Sequence, residues 1–85
     1  MLFVFPERGV HAMWMKNTSI PLSIAFLDEQ GVIINISDMI PFSEEPRHAD
    51  APAKFALEMP KGWFSKRGIM PGAKVEGLSQ APNGE

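Results

Sequence analysis

The chain has 85 residues, 45% of them hydrophobic, with a formal net charge of −2 and no cysteine. That length allows one domain and excludes a second, and the hydrophobic content excludes intrinsic disorder. The lack of cysteine excludes disulfides, thiolate nucleophiles and thiolate metal sites. The eight Lys and Arg are scattered, which argues against the clustered cations of a nucleic-acid phosphate track or an anionic-membrane patch. No run of about 18 apolar residues is present to span a membrane. The opening MLFVFPERG is too short an apolar run, and too soon broken by Pro6 and two charges, to read as a signal peptide. A chain this size buries only about 60–65% of its unfolded surface, so its core is modest.

Leu2 to Phe5 reads as a buried strand stopped by Pro6, followed by a turn at Glu7-Arg8-Gly9 with Gly9 free to take positive φ. His11 to Met15 is a second strand, with His11, Met13 and Met15 on one face and Ala12 and Trp14 on the other. Lys16-Asn17-Thr18 forms a polar knot in the connection to Pro21, which holds Ile20 extended. Leu22 to Leu27 is a third strand; its Leu22, Ile24 and Phe26 face is the expected core. Asp28-Glu29-Gln30-Gly31 is a hairpin turn into a fourth strand, Val32 to Ile36.

From Met39 to Pro52 the alternation dissolves into a proline-rich surface loop. It is either functional or a plain crossover between sheets. A fifth strand, Ala53 to Met59, sets Phe55, Leu57 and Met59 toward the core and Lys54, Ala56 and Glu58 away from it. Residues 61–67 suggest one or two helical turns capped by Gly68. Ile69-Met70-Pro71-Gly72 is a turn, Ala73 to Leu78 a last strand, and residues 79–85 a frayed tail after a single β domain at 1–78. Six short strands, one helix and Pro/Gly punctuation make a mainly β fold, an antiparallel β-sandwich or distorted barrel.

Three stretches carry a family resemblance: the MLFVF opening, WMKNTSIPLSIAFLD and KFALEMPKGWFSKRGIMPGAKV. The chain resembles the domain of unknown function 192 family of prokaryotic proteins from Met1 to about Val75. The resemblance implies a compact β-sandwich or jelly-roll-like domain with no established activity. It also implies relatives that are often exported, periplasmic or secreted, behind a signal peptide or lipoprotein anchor. Members typically carry a further strand region before the position of Met1, and aspartate often stands where this chain has Ser23. The expectation is a sheet edge covered by a second copy of the chain or by a neighbouring element.

Lys16, Asn17 and Thr18 offer a cation, an amide and a hydroxyl at the end of an apolar strand. That set suits a carboxylate, a phosphate or sugar hydroxyls, although local turn hydrogen bonding would equally occupy it. Trp14 and Trp63 either flank a groove fit for a sugar ring or lie in the core. His11 and His48 are too far apart for a helical ligand pair, and nothing in the sequence makes Asp28, Asp38, Asp50 or Glu58 converge on them, so no metal or other cofactor is expected. Ser19, Ser23 and Ser65 lack a nucleophile-elbow context. Glu44-Glu45 read as a solvated edge, and Glu58 beside Lys54 and Lys16 as a surface ion pair.

Two functions stay open. One is a non-catalytic module that binds a small polar ligand or a protein partner through Lys16, Asn17, Thr18, Trp63 and Glu58. The other is a small hydrolase or carbohydrate-active enzyme using Glu58 or His11 as acid or base near Asn17.

Overall fold

The run LSIAFL at residues 22–27 is buried from Ser23 to Leu27, on both sides of the strand. A strand with bulk on both faces must be covered on both faces, and the rest of the chain is arranged to do that. The computed structural model describes residues 1–13, 19–42 and 46–76. Among them are six strands: β1 (Leu2–Gly9), β2 (Ala12–Met13), β3 (Leu22–Leu27), β4 (Ile33–Met39), β5 (Arg47–His48) and β6 (Ala53–Pro60). One helix follows, α1 (Trp63–Lys66). The fold is mainly β, as expected. Antiparallel pairing gives a four-stranded sheet in the order β1-β6-β3-β4 and a two-stranded sheet of β2 and β5, with no closure into a barrel.

The sheet has two packed faces rather than the single one expected. On one, Ile24 and Phe26 meet Met39, Ala49, Ala53 and Ala56, with Phe3, Phe5 and Met13 beside them. On the other, Ala25 and Leu27 meet Val4, Ile33, Phe55 and Phe64, with Leu57, Met59, Trp63 and Ile69 beside them. The cross-strand pairs Ala25↔Leu57 and Phe26↔Ala56 explain this. Directly opposed residues share a face, so the expected core faces of β3 and β6 lie on opposite sides of the sheet.

The hairpin between β3 and β4 forms as expected. Gly31 takes φ 82°, and Asp28 Oδ1 accepts the amides of Gln30 at 2.9 Å and Val32 at 3.0 Å, which closes an Asx-type turn. Several boundaries differ from expectation. β1 continues through Pro6 to Gly9 in place of a turn. As the outer strand it needs no ladder donor from proline, and its register shifts between Val4 and Gly9. Gly9 does not take positive φ. β4 starts one residue late and runs on to Met39. The 39–52 connection contains β5. The expected strand from Ala73 reduces, over its described residues, to one bridge between Lys74 and Val32. The strand expected from His11 is β2 alone among described residues. Trp14, Met15, Glu44, Glu45, residues 77–78 and the 79–85 tail lie outside those residues.

The Phe64 face is closed by backbone. After β6, Gly62 at φ 83° turns the chain into α1. Gly68 at φ 66° ends it, with the Gly68 amide on Ser65 O at 3.1 Å and the Ile69 amide on Phe64 O at 2.9 Å, a Schellman closure. Met70-Pro71-Gly72-Ala73 then turns with Gly72 at φ 97° and a 3.1 Å bond from the Ala73 amide to Met70 O, the type II pattern that glycine favours. The segment locks onto β4 through Ile33 N–H to Ala73 O and Val75 N–H to Gly31 O, both 2.8 Å.

The Phe26 face is closed by the β2–β5 pair and by a side chain. Asn35 Nδ2 donates to His48 O at 3.0 Å, and its Oδ1 accepts the Asp50 amide at 3.0 Å. The Ala49 amide also reaches His11 O at 3.0 Å.

Candidate functional site

Glu58 lies in β6 directly opposite Ile24 of β3. On its other flank it is paired with Met1. The Glu58 amide donates to Met1 O at 2.8 Å, and the Met1 amino group donates to Glu58 O. Its side chain therefore emerges on the Phe26 face. The lateral neighbours there are Ile24 and Met1, and the diagonal ones are Leu22, Phe26 and Phe3. All five are apolar. Glu58 is half-buried, and among the described residues no side chain hydrogen-bonds to its carboxylate. Burial pushes its carboxyl above the ordinary glutamate value, and the Met1 amino group draws it part of the way back.

Of the other expected site residues, Trp63 and His11 do not gather here. Trp63 packs against the opposite face of the sheet. There it meets Phe64 edge-on with ring centroids 5.2 Å apart, and the Arg67 guanidinium lies 4.2 Å from its ring centre. Trp63 and Glu58 are thus divided by the sheet, and a groove joining them is not formed. His11 stands near the far end of β6, where Gly9 pairs with Ala53. Its Nε2 is 2.8 Å from Glu7 O, and its ring stacks on Phe5 at 3.9 Å. His11 and Glu58 are separated by most of the length of β6, ~15 Å of strand. Lys54 donates to Pro6 O at 2.9 Å, not to Glu58. Lys16, Asn17 and Thr18 lie outside the described residues. The chain that follows them reaches the sheet at Leu22, whose partners are Met39 and Pro60. Among the described residues no group of three or more His, Cys, Asp and Glu could hold a metal ion.

One polar node was not anticipated. Ser23 is 2% exposed. It donates to Asp38 Oδ1 at 2.8 Å and accepts the Gly62 amide at 3.1 Å. A single hydroxyl thus ties β3, β4 and the turn before α1, satisfying the donor that the left-handed Gly62 would otherwise bury unpaired. Its sequence signal is a serine within an otherwise apolar central strand, which becomes informative once the register sets Ser23 opposite Asp38.

An open four-stranded antiparallel sheet, packed on both faces and carrying a half-buried carboxylate, defines a small, mainly β domain. The chain belongs to the DUF192 family, described as an uncharacterized ACR, whose model matches residues 1–77. It is similar to a solved protein from Sinorhizobium meliloti 1021, described as a candidate transcription regulator, at 37% identity and TM-score 0.87. That match covers 92% of this chain and 61% of the other. It is also similar to a solved protein of unknown function from Novosphingobium aromaticivorans DSM 12444, at 36% identity and TM-score 0.86, over 91% of this chain and 56% of that one. The chain therefore spans less than two thirds of the length of either. Among curated proteins, none matches significantly. No described helix is long and apolar enough to cross a membrane.

Proposed function

We propose that this domain is a non-catalytic module that binds a small polar ligand at the β3–β6 end of the Phe26 face through Glu58, with Lys16, Asn17 and Thr18 as the candidate contacts from the sequence. The observation that carries this reading is Glu58, a carboxylate half-buried among apolar neighbours without a side-chain partner among the described residues. Such a group has unspent acceptor capacity in a low-dielectric setting, where a hydrogen bond counts for more than in water. The Trp63 side of the sheet has no part in this site. Thermal-shift screening against mono- and disaccharides, amino acids and nucleotides tests it. The expected result is a stabilising compound whose effect is lost in Asn17→Ala and Lys16→Ala. Compounds that stabilise these variants and the parent alike would overturn it.

A second reading is a protein contact at the same end of the sheet, a second copy of the chain included. Four large apolar side chains are exposed there among the described residues: Met1 at 75%, Ile20 at 64%, Ile40 at 60% and Phe42 at 62%. Phe42 also holds φ 60°, an uncommon conformation for a bulky residue. Sedimentation at micromolar concentration separates the two, since a self-associating domain gives a dimer that Phe42→Ser dissolves. The enzyme alternative, with Glu58 or His11 as acid or base, has less support, because the His11 ring is engaged with Glu7 and Phe5 and, among the described residues, no side chain hydrogen-bonds to the Glu58 carboxylate to orient it.

A further inference from the structure

We infer that the Glu58 carboxylate is the acceptor for a cationic group, an ammonium or guanidinium, carried on a ligand with a short apolar stem. The inference rests on the reading of a ligand at this rim and names the chemistry of that ligand. Met1, Phe3, Leu22, Ile24 and Phe26 present carbon to the Glu58 side chain, and none of these side chains offers a hydrogen-bond donor. Among the described residues the Met1 amino group is near, and it donates to the Glu58 backbone carbonyl, not to the carboxylate.

An ionised carboxylate half-buried in such a setting keeps contact with solvent but loses part of its hydration, and among the described residues no side chain makes up that loss. Three ligand chemistries can be compared there. An anion is repelled. A neutral hydroxyl donates a hydrogen bond but leaves the charge uncompensated. An ammonium or guanidinium donates and compensates together, and charge-assisted bonds are roughly twice as strong as neutral ones. The apolar surround then selects the rest of the molecule: a few methylenes can lie along the part-exposed Phe3 and Leu22 and the exposed Met1 while the cationic head meets Glu58.

The test uses n-butylammonium, n-butanol and butyrate, which share a stem and differ in head group. Each is titrated into the intact chain and into Glu58→Gln, with amide chemical shifts as readout. The expected result is binding of butylammonium that weakens about tenfold or more in Glu58→Gln, as loss of a charge-assisted bond requires. Shifts should centre on residues 22–24 and 56–58, with no comparable binding of butanol or butyrate. An amide spectrum of Glu58→Gln that is unchanged away from the site establishes that the variant is folded. Equal binding to both proteins, or butanol binding as well as butylammonium, overturns the assignment. A neutral sugar that binds in an Asn17-dependent, Glu58-independent way would sink the cation assignment and leave the ligand-binding reading standing. Failure of every head-group class and every screened compound would sink both.

Discussion

The two faces of the four-stranded sheet are closed by different means. On the Phe64 face the covering layer is one continuous stretch, residues 61–75, held by backbone hydrogen bonds and three left-handed glycines. On the Phe26 face the cover is a pair of two-residue strands, pinned to β4 by the amide of Asn35. The first kind of closure depends mainly on main-chain geometry, with the Ser23 hydroxyl accepting the Gly62 amide at its start. The second depends on a few side chains, and it is on this face that Glu58 stands among apolar neighbours. The contrast teaches that one sheet can be covered mainly by main-chain bonds on one side and by short strands with a side-chain tie on the other, with the candidate site on the second side.

The largest expected effect asks whether both faces are cores. Phe26 is 0% and Phe64 2% exposed, so truncating either to alanine should cost about 3–5 kcal/mol. That is a large share of the ~4–13 kcal/mol available to a domain this size. Urea denaturation of Phe26→Ala and Phe64→Ala measures it. A cost under about 1 kcal/mol for either would mean that its face is not a packed interior.

Next is the node joining β3, β4 and the turn before α1. Ser23→Ala leaves the Gly62 amide without its acceptor and should destabilise by about 1–3 kcal/mol, read by the same method. An unchanged midpoint would mean that water replaces the hydroxyl. A smaller and more local effect belongs to Asn35→Ala. Hydrogen exchange should quicken at Asp50, whose amide loses its acceptor, while the Ile69 amide on the opposite face keeps its protection. Equal loss at both would show that the two covers open as one.

The smallest effect concerns charge. With its folded-state pKa raised, Glu58 holds its proton to higher pH in the folded chain than in the unfolded one. The stability linked to that proton is fully present below the unfolded pKa and is lost as pH rises through the folded pKa. Glu58→Gln escapes the loss. Its Tm should exceed the parent's at neutral pH, and the gap should narrow as the pH falls toward the ordinary carboxylate range. A gap that is constant with pH would remove the charge as its cause.

Much of this architecture was legible in the residues. The strand at Leu22 to Leu27, the Asp28–Gly31 turn and the Gly68 cap each follow from local chemistry, and each is present. What was not legible depended on which strand lies beside which. Pro6 reads as a stop until β1 is known to be an outer strand. Arg47-His48 shows no strand pattern because β5 is two residues long and pairs with an equally short partner. Glu58 reads as solvent-facing from β6 alone, and only its pairing with Ile24 puts it on a packed face. Trp63 and Glu58, grouped by chemistry, are separated by the sheet because the chain crosses to the other face after Pro60. Short strands carry few periods of pattern, whereas register is a non-local property.

The most direct measurement is the side-chain titration of Glu58 itself, followed by carboxyl carbon chemical shift in the intact chain. The account predicts a midpoint above that of an ordinary glutamate, moving down when a cationic ligand with an apolar stem is added. A midpoint at or below the ordinary value, unmoved by such a ligand, would contradict it.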